Sequence, residues 1–462
     1  LAERTNEDRS ANQPGGGWST DGLAYLKKKL ERQRVFVFHP FVKDETANVL
    51  RRSPEARLEE AMGLAVAIEI DLVGGELVPL RNIKPGTYLG QGKLDEIKAQ
   101  VKVDEIDLLV FDCELSPIQQ RNLERALKVK VIDRTALILE IFGDRASTKE
   151  GELQVELAHL IYQRSRLVRS WTHLERQRGG SGFMGGPGET QIEADRRIIA
   201  DRITRIKKQL SAVTRTRTLH RSRRQKAPYP VVALVGYTNA GKSTLFNRVT
   251  AADVMAEDML FATLDPTLRA IDMPSGRKVI LSDTVGFISE LPTMLIAAFR
   301  ATLEEVLEAD VIIHVRDASH SDSDVQKQDV IDVLSELGVD LASDEEGTPV
   351  IEALNKADLM DQEAVDSLAN QAERHNDIVP LSGLTGVGCD TLVERIDALL
   401  GAKDHTVEKL VSYADGATQA WIHSNTKILK EDHGTDGIQY LFTVDPIKWA
   451  KFEKRNPGTK TE

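Results

Sequence analysis

The chain has 462 residues, 41% of them apolar, enough length for about three domains at roughly 150 residues each and for more than one core. Its two cysteines, Cys113 and Cys389, exclude a disulfide framework and a cysteine-rich zinc site. No run of eighteen apolar residues predicts a transmembrane segment, and the first residues lack the apolar stretch of a secretory signal, so a cytoplasmic protein is expected. The net charge of −12 argues against a chain wrapped in nucleic acid. Residues 164–226, however, hold seventeen Lys or Arg against five Asp or Glu, a local +12 inside a remainder of −24. That unevenness points to one localised polyanion contact.

Residues 1–33 read as a flexible N-terminal segment. Over 34–148, strands are predicted at 35–38, 67–72, 106–111 and 129–132. They alternate with helices at 54–64, 94–101, 117–126 and from 134 onward, the pattern of a small parallel α/β domain. Ser116 before Pro117 marks one helix start, because the hydroxyl can accept an orphan amide and proline tolerates the first turn. The period then changes. Leu153, Leu157, Leu160, Leu167, Trp171 and Leu174 follow a four-three spacing broken at Arg164, and Ile192, Ile199, Ile203, Ile206, Leu210 and Val213 repeat it. This predicts a long antiparallel helical hairpin over 149–228, each arm about 35 Å at ~1.5 Å per residue.

The turn of that hairpin, 179–188, holds six glycines in ten residues, with Phe183 and Met184 among them. Two readings stay open: a tip that meets nucleic acid or a partner, or a linker whose positive charge only solvates it. A second α/β unit spans 229–403, with strands at 231–235, 278–282, 311–316, 349–354 and 378–380. Helices are predicted at 242–250, 296–309, 325–337 and 389–400. Residues 404–462 read as a small α+β domain, with strands at 409–413, 428–429 and 440–444 and helices at 417–423 and after Pro446.

The strongest chemical signal is Gly236-Tyr237-Thr238-Asn239-Ala240-Gly241-Lys242-Ser243, followed by Thr244, set between an apolar strand and a helix. In a P-loop the consecutive amides wrap phosphates, Lys242 reaches the β- and γ-phosphoryl oxygens, and Ser243 ligates Mg²⁺. Asp283-Thr284-Val285-Gly286 follows another apolar strand. Asp283 can hold the magnesium through water, and the Gly286 amide can sense the γ-phosphate. Asn355-Lys356-Ala357-Asp358 then selects the base. A carboxylate at Asp358 accepts two hydrogen bonds that guanine donates and adenine does not. Lys356 can cover the ring, Asn355 can tie the base loop to the phosphate loop, and Ser382-Gly383 can present an amide to guanine O6. GTP is therefore expected as substrate and GDP as product.

This ordered set resembles the translation-factor-type P-loop GTPases. The resemblance implies that Thr263, in Phe261-Ala262-Thr263-Leu264-Asp265-Pro266-Thr267, coordinates Mg²⁺ and positions the attacking water, with Thr267 the nearby competitor. Lys242, Thr263 and Gly286 are then the expected catalytic residues. Many GTPases place a catalytic glutamine where this chain has Phe287, which cannot orient water through a hydrogen bond. Slow unaided hydrolysis is expected, with help from a partner. Asparagine at position 239 resembles GTPases that hold K⁺ near the phosphates, leaving two readings, a K⁺ ligand or a brace for the loop.

Further elements carry a closer likeness. They are Tyr88-Leu89-Gly90-Gln91-Gly92-Lys93, Leu115-Ser116-Pro117, Arg121-Asn122-Leu123-Glu124, Asp133-Arg134-Thr135, Ile141-Phe142-Gly143-Asp144-Arg145-Ala146, Gly185-Gly186-Pro187-Gly188-Glu189-Thr190-Gln191-Ile192-Glu193 and Asp195-Arg196-Arg197. With Phe261 to Thr267 and Phe287, they resemble the bacterial ribosome-associated GTPase HflX family over about 35–400. That resemblance implies a GTPase that binds the large ribosomal subunit and the 70S ribosome. It would split stalled ribosomes, particularly after heat stress, with hydrolysis resetting the factor. It also implies ribosomal RNA contacts at the hairpin tip, for which Arg176, Arg178, Gly182, Phe183, Met184, Gly185, Gly186, Gly188, Arg196 and Arg197 are the candidates. A ribosome-associated monomer with no DNA target is expected. Some family members are associated with ATP binding in the N-terminal region. Gly90-Gln91-Gly92-Lys93 thus leaves open a structural or RNA-contact loop and a second, ATP-binding site. The competing classes are a GTP-dependent RNA-binding or assembly module with little catalysis, and a regulatory GTPase acting on a protein or membrane partner.

Overall fold

The computed structural model describes residues 33–42, 52–68, 70–175, 187–224, 229–251, 260–261, 263–264, 266–291, 303–339, 348–402, 404–444 and 446–455. They fall into two compact units, one built on 34–42 and 54–134, the other on 52–53 and 135 onward.

The first unit is a four-stranded parallel sheet in the order β2-β1-β3-β4, from β1 (Arg34–Val42), β2 (Asp71–Leu80), β3 (Leu108–Phe111) and β4 (Lys130–Asp133). Helices α1 (Pro54–Val66), α2 (Gln91–Val103) and α3 (Pro117–Leu127) connect the strands. Central strands covered on both faces become continuous apolar runs, as Val35 to Phe38 and Leu108 to Phe111 do, all of them buried. Ser116 caps α3 in a reciprocal box: its hydroxyl accepts from the Gln119 amide at 3.2 Å, and the Gln119 side chain accepts from the Ser116 amide at 2.9 Å. The second strand lies later than the expected 67–72. α1 runs on to Val66 because Ala61, Leu64 and Ala65 bury one helical face, and β2 continues through the Gly74-Gly75 pair. That pair looks like a strand breaker, but the strand packs closely on α1 there: a Cβ at Gly75 would stand 2.7 Å from Met62 Sδ and would displace that side chain.

In the second unit, α4 (Arg134–Arg145) leads into α5 (Lys149–Glu175) and α6 (Pro187–Arg224). Leu153, Leu160, Ile203 and Ile206 form their shared seam, flanked by Leu157, Ile161, Ile199 and Leu210. At ~1.5 Å per residue, α5 is about 40 Å long and α6 about 57 Å, both longer than the apolar repeat suggested. The basic stretch after Val213 is helical without a seam to announce it.

A six-stranded sheet follows in the order β10-β9-β8-β5-β7-β6, from β5 (Val231–Val235), β6 (Thr267–Asp272), β7 (Lys278–Asp283), β8 (Val311–Asp317), β9 (Val350–Asn355) and β10 (Ile378–Pro380). All neighbours are parallel except β6 and β7. Helices α7 (Lys242–Thr250), α8 (Ser323–Glu336), α9 (Gln362–Arg374) and α10 (Cys389–Gly401) belong to it. Strand β6 and helix α9 were not anticipated. Of the helix expected at 296–309, residues 303–309 are described, and Glu304–Leu307 form a helical turn there. The chain ends in an antiparallel sheet, β11 (His405–Val411), β13 (Ile438–Val444) and β12 (Lys427–His433) in that spatial order. Helices α11 (Gly416–Asn425) and α12 (Pro446–Arg455) bring Trp421 and Trp449 against its core, with Phe452 stacked on both rings.

Among the described residues no helix is long and apolar enough to cross a membrane.

Candidate nucleotide-binding site

β5 and β7 are neighbours, with β9 one strand further on past β8, and all three end at the carboxyl edge of the six-stranded sheet, where open α/β sheets bind ligands. Gly236, the first residue of the loop past β5, lies so close against β8 that a Cβ there would fall 2.2 Å from the Val315 carbonyl oxygen. The chain leaves that loop through Gly241, at φ +88°, into α7. The loop after β7 is zipped to it: the Thr238 amide donates to the Phe287 carbonyl at 2.7 Å, and the Phe287 amide donates to that of Gly236 at 3.1 Å. Gly286 consequently lies where a Cβ would stand 2.9 Å from Thr238 Cα and 3.1 Å from Lys242 Nζ. The Phe287 ring is fully buried.

Lys242 is itself buried, donating to the carbonyls of Gly236 at 3.1 Å and Tyr237 at 2.8 Å. Burial pulls its pKa down to about 8, with Asp283 opposing. Burial likewise pushes Asp283 above the ordinary carboxylate value, against Lys242 and the hydroxyls it accepts from. Both charges are disfavoured by the same dry surroundings, and a polyphosphate with a divalent cation supplies what each requires.

Three oxygen-bearing side chains converge from separate elements. Ser243 Oγ, in the first turn of α7, donates to Asp283 Oδ2 at 2.7 Å. Thr263 Oγ1, from the segment preceding β6, donates to the same oxygen at 3.1 Å and lies 2.8 Å from Ser243 Oγ. Asp283 Oδ1 is buried and accepts no hydrogen bond from the described residues. Two hydroxyls and a carboxylate with an unused oxygen are a hard donor set of the kind Mg²⁺ takes. Thr267, the alternative to Thr263, opens β6 opposite Asp283 in the strand register.

The base loop is braced from two sides. Asn355 Nδ2 donates to the Ala240 carbonyl at 2.8 Å, and its Oδ1 accepts from the Gly383 amide at 2.9 Å. Lys356 stands at φ +63° and pairs with Asp317 at 2.9 Å, while Asp358 is exposed. The Ser382 amide is taken by the Val387 carbonyl, so neither Ser382 nor Gly383 presents a spare amide.

Sequence reasoning missed several participants. Arg248 of α7 donates to the carbonyls of Gly383 and Leu384, holding the base loop from outside. Asp317 ends an apolar strand at the ligand edge of the sheet, a signal that was there to read. Arg52 carried no such signal: its Nη1 donates to the Tyr237 hydroxyl at 2.9 Å and its Nε to Asp322 at 3.1 Å. That hydroxyl also accepts from the Ser289 amide at 2.8 Å, so Tyr237 holds the two phosphate-facing loops together. Asn239 is exposed at φ +60°, and Thr244 lies within the first turn of α7.

Of the expected RNA contacts, Arg176, Arg178, Gly182, Phe183, Met184, Gly185 and Gly186 lie outside the described residues. Gly188 lies in the first turn of α6, and Arg196 and Arg197 are exposed along it. At the other glycine loop, Gly90 precedes α2, and Lys93 pairs with Glu76 at 2.5 Å and Glu96 at 3.2 Å.

Three family profiles match the chain: "GTP-binding GTPase N-terminal" over 55–143, "GTP-binding GTPase Middle Region" over 145–224 and "50S ribosome-binding GTPase" over 231–356. GTPase HflX of Magnetococcus marinus is 47% identical over 88% of this chain and 92% of its own. GTPase HflX of Escherichia coli is 43% identical over 81% and 86% respectively. Among solved structures, a GTP-binding protein of Sulfolobus solfataricus in complex with GDP aligns over 79% of this chain and 98% of its own, at 25% identity and a TM-score of 0.42.

Proposed function

The chain belongs to the HflX family of GTPases, and from that premise we propose that GTP binding in this pocket drives association with the large ribosomal subunit and splitting of stalled 70S ribosomes. It hydrolyses GTP to GDP and phosphate, and in our reading hydrolysis resets the factor. The observation that carries the nucleotide chemistry is the meeting of Ser243, Thr263 and Asp283 beside a buried Lys242.

In this reading Ser243 and Thr263 would hold Mg²⁺, with Asp283 acting through water, and the cation would supply positive charge against the phosphates. Lys242 neutralises the β- and γ-oxygens, and the Gly286 amide, unshielded by any side chain, donates to the γ-phosphoryl group. The Thr263 carbonyl orients the attacking water. Phe287 offers it nothing, so turnover is slow until the ribosome supplies the missing group. Asp358 reads guanine, and Asn355 keeps that reader in register with the phosphate loop. Loss of the γ-phosphate releases Thr263 and Gly286, and the factor with them.

The basic α6, with Arg196 and Arg197 exposed, supports a ribosomal RNA contact continuing to the glycine-rich turn. A cytoplasmic, ribosome-associated monomer fits this reading. The potassium role of Asn239 has its own test: equal hydrolysis rates in K⁺ and Na⁺ at constant ionic strength end it.

Sedimentation of the protein with intact ribosomes and GTP, GDP or a nonhydrolysable GTP analogue tests the whole reading. We expect free subunits with GTP and with the analogue, and weak attachment with GDP. Equal attachment in all three states would refute it, and strong attachment without splitting would leave the assembly-module alternative.

A further inference from the structure

Phe261 has an unusual backbone for its size. It sits at φ +58°, in the left-handed region where a bulky side chain is an outlier, yet its ring is buried. Something must hold it there. The ring stands edge-to-face against Phe142, with centroids 4.7 Å apart and planes at 77°. Phe142 belongs to α4, most of whose length is buried through Leu137, Ile138, Leu139 and Ile141. One turn before Phe142, the Leu139 carbonyl is met by His159 Nε2 of α5 at 3.2 Å, which ties the helix to its neighbour. Phe142 is thus presented on a fixed post. Two residues beyond Phe261 comes Thr263, whose hydroxyl lies 2.8 Å from Ser243 and 3.1 Å from Asp283.

We propose that Phe142 is a positioning residue for the GTP state: by seating the Phe261 ring it anchors the chain two positions before Thr263 and so favours the meeting of Thr263 with Ser243 and Asp283. The proposal rests on the GTPase reading above and extends it to a residue about 120 positions upstream of the segment it controls. The two rings act together, since the single residue between Phe261 and Thr263 leaves Thr263 little freedom once Phe261 is docked and considerable freedom once it is not. GDP, which has no γ-phosphate for Thr263 to attend, should not sense the pair.

The test is binding of fluorescent GDP and of a fluorescent nonhydrolysable GTP analogue, with Mg²⁺, to the full chain and to Phe142→Ala, Phe142→Leu, Phe261→Ala and the double alanine variant. Single-turnover GTP hydrolysis is measured beside it. For Phe142→Ala we expect about five- to tenfold weaker analogue binding and a comparable fall in hydrolysis, the scale of one aromatic pair. GDP affinity should stay within about twofold, and Phe142→Leu should fall between. The double variant should be no worse than the poorer single, because the two rings act as one contact. Equal losses for GDP and analogue, or additive losses in the double variant, would overturn the positioning role, and Phe142→Leu decides the same question should either alanine variant not fold. A wild-type chain that binds neither nucleotide would overturn the GTPase reading itself.

Discussion

Two segments of this chain set glycines and a lysine where a helix begins, Gly90-Gln91-Gly92-Lys93 running into the first turn of α2 and Gly236 to Lys242 leading into α7, and the backbone treats them differently. A Cβ at Gly241 would lie 2.3 Å from Asn355 Nδ2 and one at Gly236 2.2 Å from the Val315 oxygen, whereas at Gly90 and Gly92 it would meet nothing within 4 Å. Lys242 is buried and donates only to loop carbonyls, but Lys93 is already neutralised by Glu76 and Glu96. A phosphate site requires amides brought so close together that side chains are crowded out, and a cation not yet paired with a carboxylate at contact distance. Glycine content alone signals neither condition.

The largest effects should come from breaking the crowded loop. Gly236→Ala forces a methyl onto a carbonyl, and Lys242→Ala removes the buried amine; each should weaken GTP binding or turnover by roughly 10²–10³, as read by titration calorimetry and single-turnover hydrolysis. Near-normal turnover in Lys242→Ala would remove the phosphate role assigned to it. Next in size is Asp283→Asn, expected to raise the Mg²⁺ concentration for half-maximal hydrolysis by about 10- to 100-fold, the usual cost of an outer-sphere partner. An unchanged Mg²⁺ dependence would mean that Ser243 and Thr263 suffice without it.

How much of this was legible follows from how local each signal is. The phosphate loop, the Asp283–Gly286 turn and the Asn355–Asp358 turn are runs of adjacent residues closing apolar strands, so spacing alone placed them at one sheet edge. Strand β6 escaped because Thr267, Arg269 and Asp272 give it the polarity of a loop, and only its pairing with β7 makes it a strand. The Arg52–Tyr237 and Phe142–Phe261 contacts join residues more than a hundred positions apart and leave no period in either segment. Tertiary packing created them, and a linear reading has no term for it. Residues 179–188 were legible only as composition and charge.

A smaller effect is a pH dependence that the crowded loop should have and the open loop should lack. Lys242 has a folded pKa of about 8, below its ordinary 10.5. Between those values the unfolded chain holds a proton that the folded protein has released, so stability without nucleotide should rise with pH across that window. Binding of a polyphosphate favours the charged amine and takes the proton back up. GTP affinity should therefore fall above pH 8, by up to about tenfold per unit. Calorimetry in buffers of different ionisation enthalpy measures the uptake directly. A flat affinity from pH 7.5 to 9.5, with no proton taken up, would show that Lys242 is charged before GTP arrives.

The smallest expected effect belongs to Lys93→Ala and Gly90→Ala. Burial opposes the charge on Lys93, but hydrogen bonds to Glu76 and Glu96 hold its pKa above the ordinary value, so the amine stays charged and engaged with its own fold. A bound ATP would have to draw it away from two carboxylates and bring its own phosphates near them, an approach that like charge resists. Removing the lysine should cost no more than the pair itself, at most about 1 kcal/mol in an unfolding titration. GTP hydrolysis and any ATP binding should stay within about twofold of wild type, since neither would run through this loop. Gly90, at φ −77° with open space where a Cβ would point, should accept alanine with still less effect. A tenfold loss of ATP binding in either variant, with GTP binding intact, would reverse the comparison and make the open loop a second phosphate site that closes on its ligand.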